Sequence, residues 1–501
     1  MRQERMRRRL IAPPRGARCT RAAMPNAAGI KHLSTNGRYA MTTLRVLLVW
    51  PSSLNEVLGW GALGAVAEPL ALEYLAATVG EMGHDARILD LRLHPDDLEQ
   101  VVRDYQPNLL GVTAYSMHVR RAVAICDQVK AMLPSCKTVV GGHHATFLPE
   151  DFFKDSIDWI VSGEGCGALG ELLASMAADL PVAPQPGLWT RGADGAFRPP
   201  LVALASSGNQ LDDMPRPDRT LVPEDRPRYF IDWMRPVALM RTTLGCPYRC
   251  TFCSIWKVME GRYLSRDIDA VVDELATIKE EWVFLVDDEA FINRGRMVEL
   301  AAAIKRAGLR KRFFTYCRID TLLRNREAVE AWREIGLERL FIGIDAIDSL
   351  QLDEFNKKCR VDQIEQGLAL ANELDIEVFA QFVVNTSYTP QDFARLRRFV
   401  EHHRVRYPSF TILTPLPGTD LLKDFTAVDE LQSDGRPNWD LFDCQNAVVP
   451  TKMSKPDFKR AYRNLYHVFK GAYASYREHN YLLVDGAAGA DPARRAAAHM
   501  E

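Results

Sequence analysis

Three cysteines within eight residues constrain this chain more than any other feature of its sequence. Cys246, Cys250 and Cys253 lie in the segment Cys-Pro-Tyr-Arg-Cys-Thr-Phe-Cys, soon after the apolar run Val237 to Met240. Because thiolates are the usual protein ligands of iron-sulfur clusters, the segment can hold three corners of a four-iron cube and leave the fourth iron open to a chelating molecule. A structural zinc site is the alternative, but such sites close four ligands, usually from two Cys-x-x-Cys pairs, and the sequence has no second pair. The segment therefore predicts a cluster-bearing loop that leaves a buried strand.

The cysteine spacing, with Phe252 before the last cysteine, resembles that of the radical S-adenosylmethionine superfamily. The resemblance covers roughly residues 235 to 420. It implies that Cys246, Cys250 and Cys253 hold a 4Fe-4S cluster and that S-adenosylmethionine binds at the open iron. It also implies that one-electron reduction cleaves S-adenosylmethionine to a 5′-deoxyadenosyl radical.

Strands and helices alternate after residue 237, and the pattern predicts six strands. These strands cover 237–243, 282–287, 312–318, 338–344, 376–384 and 409–414. Six such units form a partial (β/α)6 barrel, and the active site of a barrel lies at the carboxyl ends of its strands. Because the three cysteines follow the first strand, we expect the cluster at this mouth.

Polar side chains stand at the ends of several predicted barrel strands. Carboxylates can accept hydrogen bonds from an ammonium group or from ribose hydroxyls, and an arginine can pair with a carboxylate. By resemblance to the superfamily, we assign five residues to S-adenosylmethionine: Phe252, Asp288, Arg318, Asp345 and Asn385. At the position of Asp345 the superfamily often has glutamate. The alternative is that the charged residues at the mouth pair with one another.

An earlier alternation of strands and helices runs from residue 44 to about residue 180. It predicts strands at 44–50, 86–90, 109–113, 137–141 and 157–162, with helices that include 69–82 and 119–132. Such alternation favours a doubly wound, Rossmann-like parallel sheet that binds its ligand at the carboxyl ends of the strands. The strand ends resemble the cobalamin-binding domain found ahead of many radical S-adenosylmethionine enzymes. That resemblance assigns seven residues to cobalamin: Thr113, Ser116, Gly141, Gly142, His143, Glu164 and Gly165.

One motif departs from related cobalamin folds. There an Asp-x-His-x-x-Gly motif supplies a histidine to the cobalt, whereas this chain reads Asp-Leu-Arg-Leu-His-Pro from Asp90, with Arg92 at the histidine position. The departure implies a cobalamin held without a lower protein ligand. His94 comes two residues late and is expected to be solvated.

Composition and punctuation suggest six segments. They are a disordered basic extension (1–40), the cobalamin-binding domain (41–180), a linker with a small hairpin (181–236), the partial barrel (237–424), an aromatic-rich, mostly helical region (425–484) and a disordered tail (485–501). Residues 1–40 hold ten Lys or Arg and one acidic residue, yet the whole chain carries a net charge of −2, which gives no reason to expect nucleic acid as a partner. Ten cysteines without a signal peptide indicate a reducing cytoplasm. Glu68, Pro69 and Glu73 interrupt the longest apolar stretch, so no transmembrane helix is predicted.

A cobalamin domain followed by such a barrel resembles the cobalamin-dependent radical methylases. The resemblance implies an enzyme that uses two molecules of S-adenosylmethionine, one to methylate cobalamin and one to generate the radical that removes hydrogen from an unactivated carbon. Segments 341–348, 356–359, 378–385 and 407–418 resemble the branch that methylates C-3 of hopanoids. We therefore expect a large apolar substrate, a reductant such as flavodoxin or ferredoxin, and a cytoplasmic protein that touches the membrane at its periphery. The alternatives are a tetrapyrrole methylase or anaerobic cyclase of the same family and, from another class, a sensor without turnover.

Overall fold

Two mainly parallel sheets, joined by a linker, organise the part of the chain that the computed structural model describes. The described residues are 42–52, 65–201, 211, 214–421 and 427–468. The basic extension and the C-terminal tail predicted from sequence lie outside them.

The first sheet confirms the doubly wound arrangement. Its elements and those interleaved with it are β1 (Arg45–Trp50), β2 (Ala65–Val66), α1 (Leu70–Glu81), β3 (Asp85–Asp90), α2 (Leu98–Tyr105), β4 (Leu109–Thr113), α3 (Val119–Met132), β5 (Lys137–Gly141), α4 (His143–Phe147), β6 (Trp159–Val161), α5 (Gly165–Ala177), β7 (Leu188–Arg191) and β8 (Phe197–Arg198). The order across the sheet is β3-β1-β4-β5-β6-β7-β8, and the first five strands are parallel. Val46 to Val49 in β1 are at most 1% exposed, as expected for a strand covered by helices on both faces. The hairpin predicted around residues 193–195 is present, and β7 pairs with β6, so the hairpin extends the sheet edge.

The second sheet has six parallel strands in the order β10-β13-β14-β15-β16-β17, as in a partial barrel. The elements in chain order are β9 (Phe230–Ile231), β10 (Val237–Met240), β11 (Thr243–Leu244), α6 (Ile255–Val258), β12 (Leu264–Ser265), α7 (Ile268–Thr277), β13 (Trp282–Leu285), α8 (Arg294–Arg306), β14 (Arg312–Cys317), α9 (Ile319–Arg324), α10 (Arg326–Glu334), β15 (Leu337–Asp345), α11 (Ser349–Glu354), α12 (Val361–Glu373), β16 (Glu377–Val384), α13 (Pro390–His402), β17 (Tyr407–Ile412) and α14 (Lys455–Val468). Each strand begins and ends within three residues of its predicted limits, because strand and helix periodicities differ clearly here. The main apolar core lies between this sheet and its helices.

The aromatic C-terminal residues pack into existing cores. Trp439 and Phe442 join the core of the first domain, whereas Phe458 and Tyr462 join the core outside the barrel. Before α14, residues 427–454 run largely without regular structure, apart from one 3-10 turn at Trp439–Leu441. Of the eight C-terminal aromatics that sequence alone leaves as candidates for lining a substrate pocket, Trp439, Phe442, Tyr462 and Tyr466 therefore serve packing, and Phe425, Phe469, Tyr473 and Tyr476 lie outside the described residues.

A group of buried charges, which we name the linker charge cluster, ties the linker to both domains. Its members are Glu68 and Glu73 near the start of α1, Arg219 and Arg226 of the linker, and Glu274 and Glu280 at α7. Arg226 Nη1 pairs with Glu68, and Arg226 Nε lies 2.5 Å from Glu280 Oε1. Glu68 also accepts a hydrogen bond from the backbone N of Leu239 in β10. The first domain, the linker and the first barrel strand are thus held by one set of ion pairs.

The lower barrel interior holds a second buried ion pair. Arg339 of β15 is 1% exposed, and its Nη1 lies 3.0 Å from Asp232 Oδ2. The guanidinium also sits over the rings of Trp233 and Tyr407, at 4.0 and 4.9 Å from their centroids. Burial raises the pKa of Asp232 to about 6, although Arg339 acts to lower it.

Asp232 should make the stability of the protein fall as pH rises. The folded-state pKa of Asp232 lies above the ordinary value of 3.8, so the unfolded chain releases this proton at a lower pH than the folded protein does. This carboxyl therefore adds to the free energy of unfolding only while it stays protonated in the folded state. The contribution is fully present below about pH 4 and is lost as pH rises through about 6. Urea unfolding of the wild type and Asp232→Asn across pH 4 to 7 should show the difference in free energy of unfolding changing in this window. Parallel profiles for the two proteins would contradict the assignment.

Within the described residues, no helix combines the length and apolar character needed to cross a bilayer.

Candidate active site

The carboxyl ends of the two sheets face each other, so loops from both domains build one site. His143, just after β5, is hydrogen-bonded to Ser254, just after the cysteine segment, with Nε2 and Oγ 2.6 Å apart. Phe147 at the end of α4 packs on Gly418 in the loop after β17, where an added Cβ would lie 2.5 Å from the ring. The sequence could not predict these contacts, since residues 111 or more positions apart meet here.

Strand-end residues anchor the amino end of the cysteine segment. Gly245 adopts φ +94°, and an added Cβ would lie 2.2 Å from the Arg262 carbonyl oxygen, so only glycine fits before Cys246. Its backbone N donates to Asp288 Oδ2 at 2.7 Å. Asp287 holds the preceding turn by accepting from the backbone N of Thr242 at 2.7 Å and of Thr243 at 2.8 Å.

The three thiols fit a cluster by their grouping and their surroundings. Burial raises the pKa of Cys253 to about 12, and the nearby Cys250 and Cys246 thiols contribute to this rise. Arg318 Nη1 lies 3.7 Å from Cys250 Sγ, and Lys357 also interacts with this thiol, so two cations offset the charge of bound thiolates. No three His, Cys, Asp or Glu side chains of the described residues converge tightly enough to enclose a single metal ion. In a cubane each thiolate bonds a different iron, so the three thiols need not enclose one ion.

Two of the residues assigned to S-adenosylmethionine, Asp288 and Arg318, surround the cysteines. Asp288, Arg318 and the neighbouring Glu289 all interact electrostatically with the Cys246 thiol. Glu289 Oε2 accepts from the backbone N of Arg318 at 2.7 Å, while Glu289 Oε1 is buried without a hydrogen-bond partner among the described residues. Burial raises the pKa of Glu289 to about 7. Glu289 was not assigned to a cofactor from sequence, although it directly follows Asp288 after the second barrel strand.

The other three assigned residues contact other residues of the protein. Asp345, at φ +63°, pairs with Lys357, a residue that was not among those assigned to a cofactor from sequence. Asn385 accepts from the backbone N and the hydroxyl of Ser387, both at 3.0 Å, and so closes its own turn. Phe252 packs edge-on against Phe355 with ring centroids 5.0 Å apart. The pairing of Asp345 with Lys357 is the alternative that charge pattern alone left open.

A cavity of about 350 Å³ opens at the carboxyl end of the first sheet and fits the tail of a cobalamin. Its deep wall is apolar and comes from β1, β4, β5, β6, α1 and α5, through residues such as Leu48, Leu75, Val139 and Leu172. Thr113, Gly141, Gly142, Glu164 and Gly165, all assigned to cobalamin from sequence, line it. Arg241, Met259 and Arg262 of the second domain close its mouth.

Glycine is required at one of these strand ends. Gly142 has φ +105°, and an added Cβ would lie 2.8 Å from the backbone N of Ala114. Glu164 has a structural role as well, because its carboxylate caps α5 by accepting from the backbone N of Cys166 and Gly167.

Two residues assigned to cobalamin lie outside this cavity lining. Ser116 is 4% exposed, and its hydroxyl is hydrogen-bonded to His144 Nδ1 at 3.0 Å. His143 stacks on Tyr115 with ring centroids 6.2 Å apart and reaches Ser254 instead. Burial lowers the pKa of His143 to about 4, so its imidazole is neutral.

The residues that replace the cobalt-binding motif are engaged within the protein. Arg92 forms an ion pair with Asp90 at 2.6 Å and lies over the Trp50 ring, 4.4 Å from its centroid. His94, expected to be solvated, is instead half-buried, with Nε2 2.7 Å from Asp225 Oδ1. The expectation was wrong because the linker, remote in sequence, folds back over this loop.

Aromatic side chains line the barrel interior between the two sheets of the site. Tyr316 contacts Phe284 and Phe341 at centroid distances of 5.1 and 5.0 Å, and Phe341 stacks on the buried Phe379 at 5.3 Å. Tyr115 of the first domain interacts electrostatically with Tyr316. Tyr316 and Phe341 are partly exposed, so the barrel interior presents an aromatic wall at this point.

Comparisons with known proteins match both halves of the chain. Residues 60–173 match the B12 binding domain model, and residues 240–400 match the Radical SAM superfamily model. The hopanoid C-3 methylase of Methylococcus capsulatus is 30% identical over 400 residues, covering 78% of this chain and 74% of that protein. The anaerobic magnesium-protoporphyrin IX monomethyl ester cyclase of Rubrivivax gelatinosus is 25% identical, covering 83% of this chain and 74% of that protein.

Two solved structures share the fold. The radical S-adenosylmethionine methyltransferase TsrM from Kitasatospora setae, solved with cobalamin and a 4Fe-4S cluster, gives a TM-score of 0.60 at 21% identity, covering 76% of this chain and 77% of that one. The cobalamin-dependent S-adenosylmethionine radical enzyme OxsB with aqua-cobalamin gives 0.66 at 16% identity, covering 89% and 75%.

Proposed function

This chain belongs to the cobalamin-dependent radical S-adenosylmethionine methyltransferases, and from that premise we propose that it methylates C-3 of a hopanoid. Membership makes it an enzyme that uses a 4Fe-4S cluster, S-adenosylmethionine and cobalamin, and it disfavours a sensor without turnover. The observation that carries the choice of substrate class is the aromatic wall of the barrel interior, formed by the partly exposed rings of Tyr316 and Phe341 over the buried Phe284. A flat, apolar ring system buries its faces well against such a wall.

The chemistry that the cofactors supply when bound is the one-electron cleavage of S-adenosylmethionine and the delivery of a methyl group. On this proposal Cys246, Cys250 and Cys253 hold the cluster. The Glu289 carboxylate has an oxygen without a hydrogen-bond partner among the residues that the structure describes, and together with Asp288 it accepts hydrogen bonds from the ammonium group of S-adenosylmethionine. Arg318 and Lys357 balance the negative charge of the thiolates and of the S-adenosylmethionine carboxylate.

The remaining residues position the two cofactors and exclude water. His143 and Ser254 fix the cobalamin-side loop against the cysteine segment through their hydrogen bond. Tyr115 and Tyr316 meet where the first domain faces the barrel. Aromatic rings in the barrel interior keep bulk water away from a reactive radical.

A tetrapyrrole methylase or cyclase is the second candidate. The cyclase of Rubrivivax gelatinosus matches a larger share of this chain than the hopanoid methylase does, at lower identity. A tetrapyrrole is flat as well, and its aromatic ring suits the same wall. Product identity is what separates the two.

A product assay tests the proposal. Anaerobically reconstituted protein, a flavodoxin or ferredoxin reductant, and S-adenosylmethionine labelled in its methyl group are incubated with hopanoids in liposomes. We expect label in a triterpenoid methylated at C-3, and protein that sediments with the liposomes. Protein loaded with cluster but not with cobalamin should cleave S-adenosylmethionine without labelling the lipid. Label in a magnesium tetrapyrrole and none in the hopanoid would replace the proposal with the second candidate.

A further inference from the structure

Arg241, at the end of the first barrel strand, lies at the mouth of the cobalamin-domain cavity and forms no ion pair within the described part of the chain. The residue follows β10 directly and lines the cavity together with Leu75, Cys166 and Gly165 of the first domain. Its Nε is buried without a hydrogen-bond partner among the described residues, and the ion pairs of those residues do not include it. An arginine that forms no ion pair with any carboxylate of the described residues can bind an anion from outside the protein.

The electrostatics place this guanidinium between the two cofactor sites. On one side Arg241 acts on Tyr74 and Cys166 of the first domain. On the other side it acts on Asp288 beside the cysteine segment, without forming an ion pair. Arg262 lines the same mouth, whereas Glu164, the acidic residue of the lining, already accepts two backbone hydrogen bonds at the start of α5. The mouth is therefore positively charged above an apolar interior.

Cobalamin has the complementary distribution of charge. Its nucleotide tail ends in dimethylbenzimidazole, an apolar bicyclic base, and is joined to the corrin by a phosphodiester that carries one negative charge. The corrin side chains are neutral amides. An apolar cavity with a cation at its mouth matches the base and the phosphodiester in that order.

We propose that Arg241 pairs with the cobalamin phosphodiester, so that a residue of the barrel completes the cobalamin site of the first domain. The carboxylate of S-adenosylmethionine is the other anion within reach of this junction. The phosphodiester is favoured because Arg241 lines the cavity wall shared with α1 and α5, whereas Arg318 and Lys357 already serve the cluster side. The inference rests on the cobalamin site and is independent of which substrate is methylated.

Binding of cobalamin and of cobinamide, which lacks the nucleotide tail and its base, separates the possibilities. Arg241→Met is compared with wild type and with Arg310→Met, an exposed arginine before β14 at the far end of the barrel. Hydroxocobalamin and cobinamide affinities are measured by absorbance titration of cluster-loaded protein, and S-adenosylmethionine affinity is measured separately. We expect Arg241→Met to bind cobalamin about tenfold to hundredfold more weakly, as for the loss of a charge-assisted contact. Cobinamide and S-adenosylmethionine affinities should stay unchanged, and Arg241→Lys should recover part of the loss.

Three results would overturn the proposal. Equal losses for cobalamin and cobinamide would mean that Arg241 contacts the corrin or supports the fold. Unchanged cobalamin affinity would mean that Arg241 contacts neither the phosphodiester nor the corrin. Weaker binding of S-adenosylmethionine alone would assign Arg241 to that carboxylate. Iron content and unfolding temperature, which should match those of Arg310→Met, exclude a damaged fold as the cause of any loss.

Discussion

Replacing Cys250 with alanine should remove the iron-sulfur cluster and abolish detectable methyl transfer while cobalamin stays bound. A cubane with only two protein thiolates loses a corner ligand that no neighbour can replace, since Arg318 and Lys357 beside this thiol are cations. The cobalamin cavity takes its deep wall from the first sheet and its helices, and these do not depend on the cluster. After anaerobic reconstitution, iron content should fall from four per chain to near zero, and cobalt should remain at one per chain.

Cys444→Ala is the matched control for this experiment. Cys444 lies between Phe442 and α14, away from the cysteine segment, and its backbone oxygen accepts from the backbone N of Ile412 whatever the side chain. The control should keep iron, cobalt and activity. Full iron with Cys250→Ala would show that this cysteine is not a cluster ligand, and loss of cobalt together with iron would show that the two sites do not form independently.

Removing Arg226 should destabilise the protein more than any other single change in the linker. Arg226→Met leaves Glu68 and Glu280 of the linker charge cluster without their shared cation, and Glu68 is 2% exposed. Breaking a buried ion pair from one side costs about 3–5 kcal/mol. Urea unfolding should show a loss of that order, which adding Glu68→Gln partly reverses, because burial already raises the pKa of Glu68 and favours its neutral form.

Arg228→Met provides the comparison for that loss. The Arg228 side chain is 35% exposed and lies 3.2 Å from Asp225, so removing it should cost less than about 1 kcal/mol. Similar losses for Arg226→Met and Arg228→Met would contradict a special role for burial. In the functional assay, Arg226→Met should cleave more S-adenosylmethionine than it forms methylated product. The linker charge cluster joins both domains to the linker, so its loss should disturb how the two cofactor sites are placed relative to each other.

The fold was accessible from the sequence because its elements are strongly periodic. Continuous apolar runs such as Val46 to Val49 and Trp282 to Leu285 predict buried parallel strands, and the observed limits differ by only a few residues. The cysteine segment was equally accessible, since its chemistry lies in adjacent residues. Residues at strand ends were harder to interpret, because a polar side chain there can face a ligand or close its own turn, as Asn385 does.

The contacts that complete the site come from distant residues and leave no local pattern. Lys357 stands in a loop after α11 and reaches Asp345, and Ser254 reaches His143 in the other domain. Arg241 reads as the end of a strand, and its importance depends on a cavity wall more than sixty residues earlier in the chain. Such pairings are set by how two domains dock, which single-sequence periodicity does not encode.

The packing of Phe147 on Gly418 limits how freely the two halves of such an enzyme can be recombined. Any side chain at position 418 would meet the ring of Phe147, so the last barrel loop is shaped to one particular helix of the first domain. A chimera that joins this first domain to a relative's barrel would therefore need to carry residues 414–421 along with it, together with the partners of Arg226. Chimeras made to change substrate specificity should be active only when these contacting residues are transferred together.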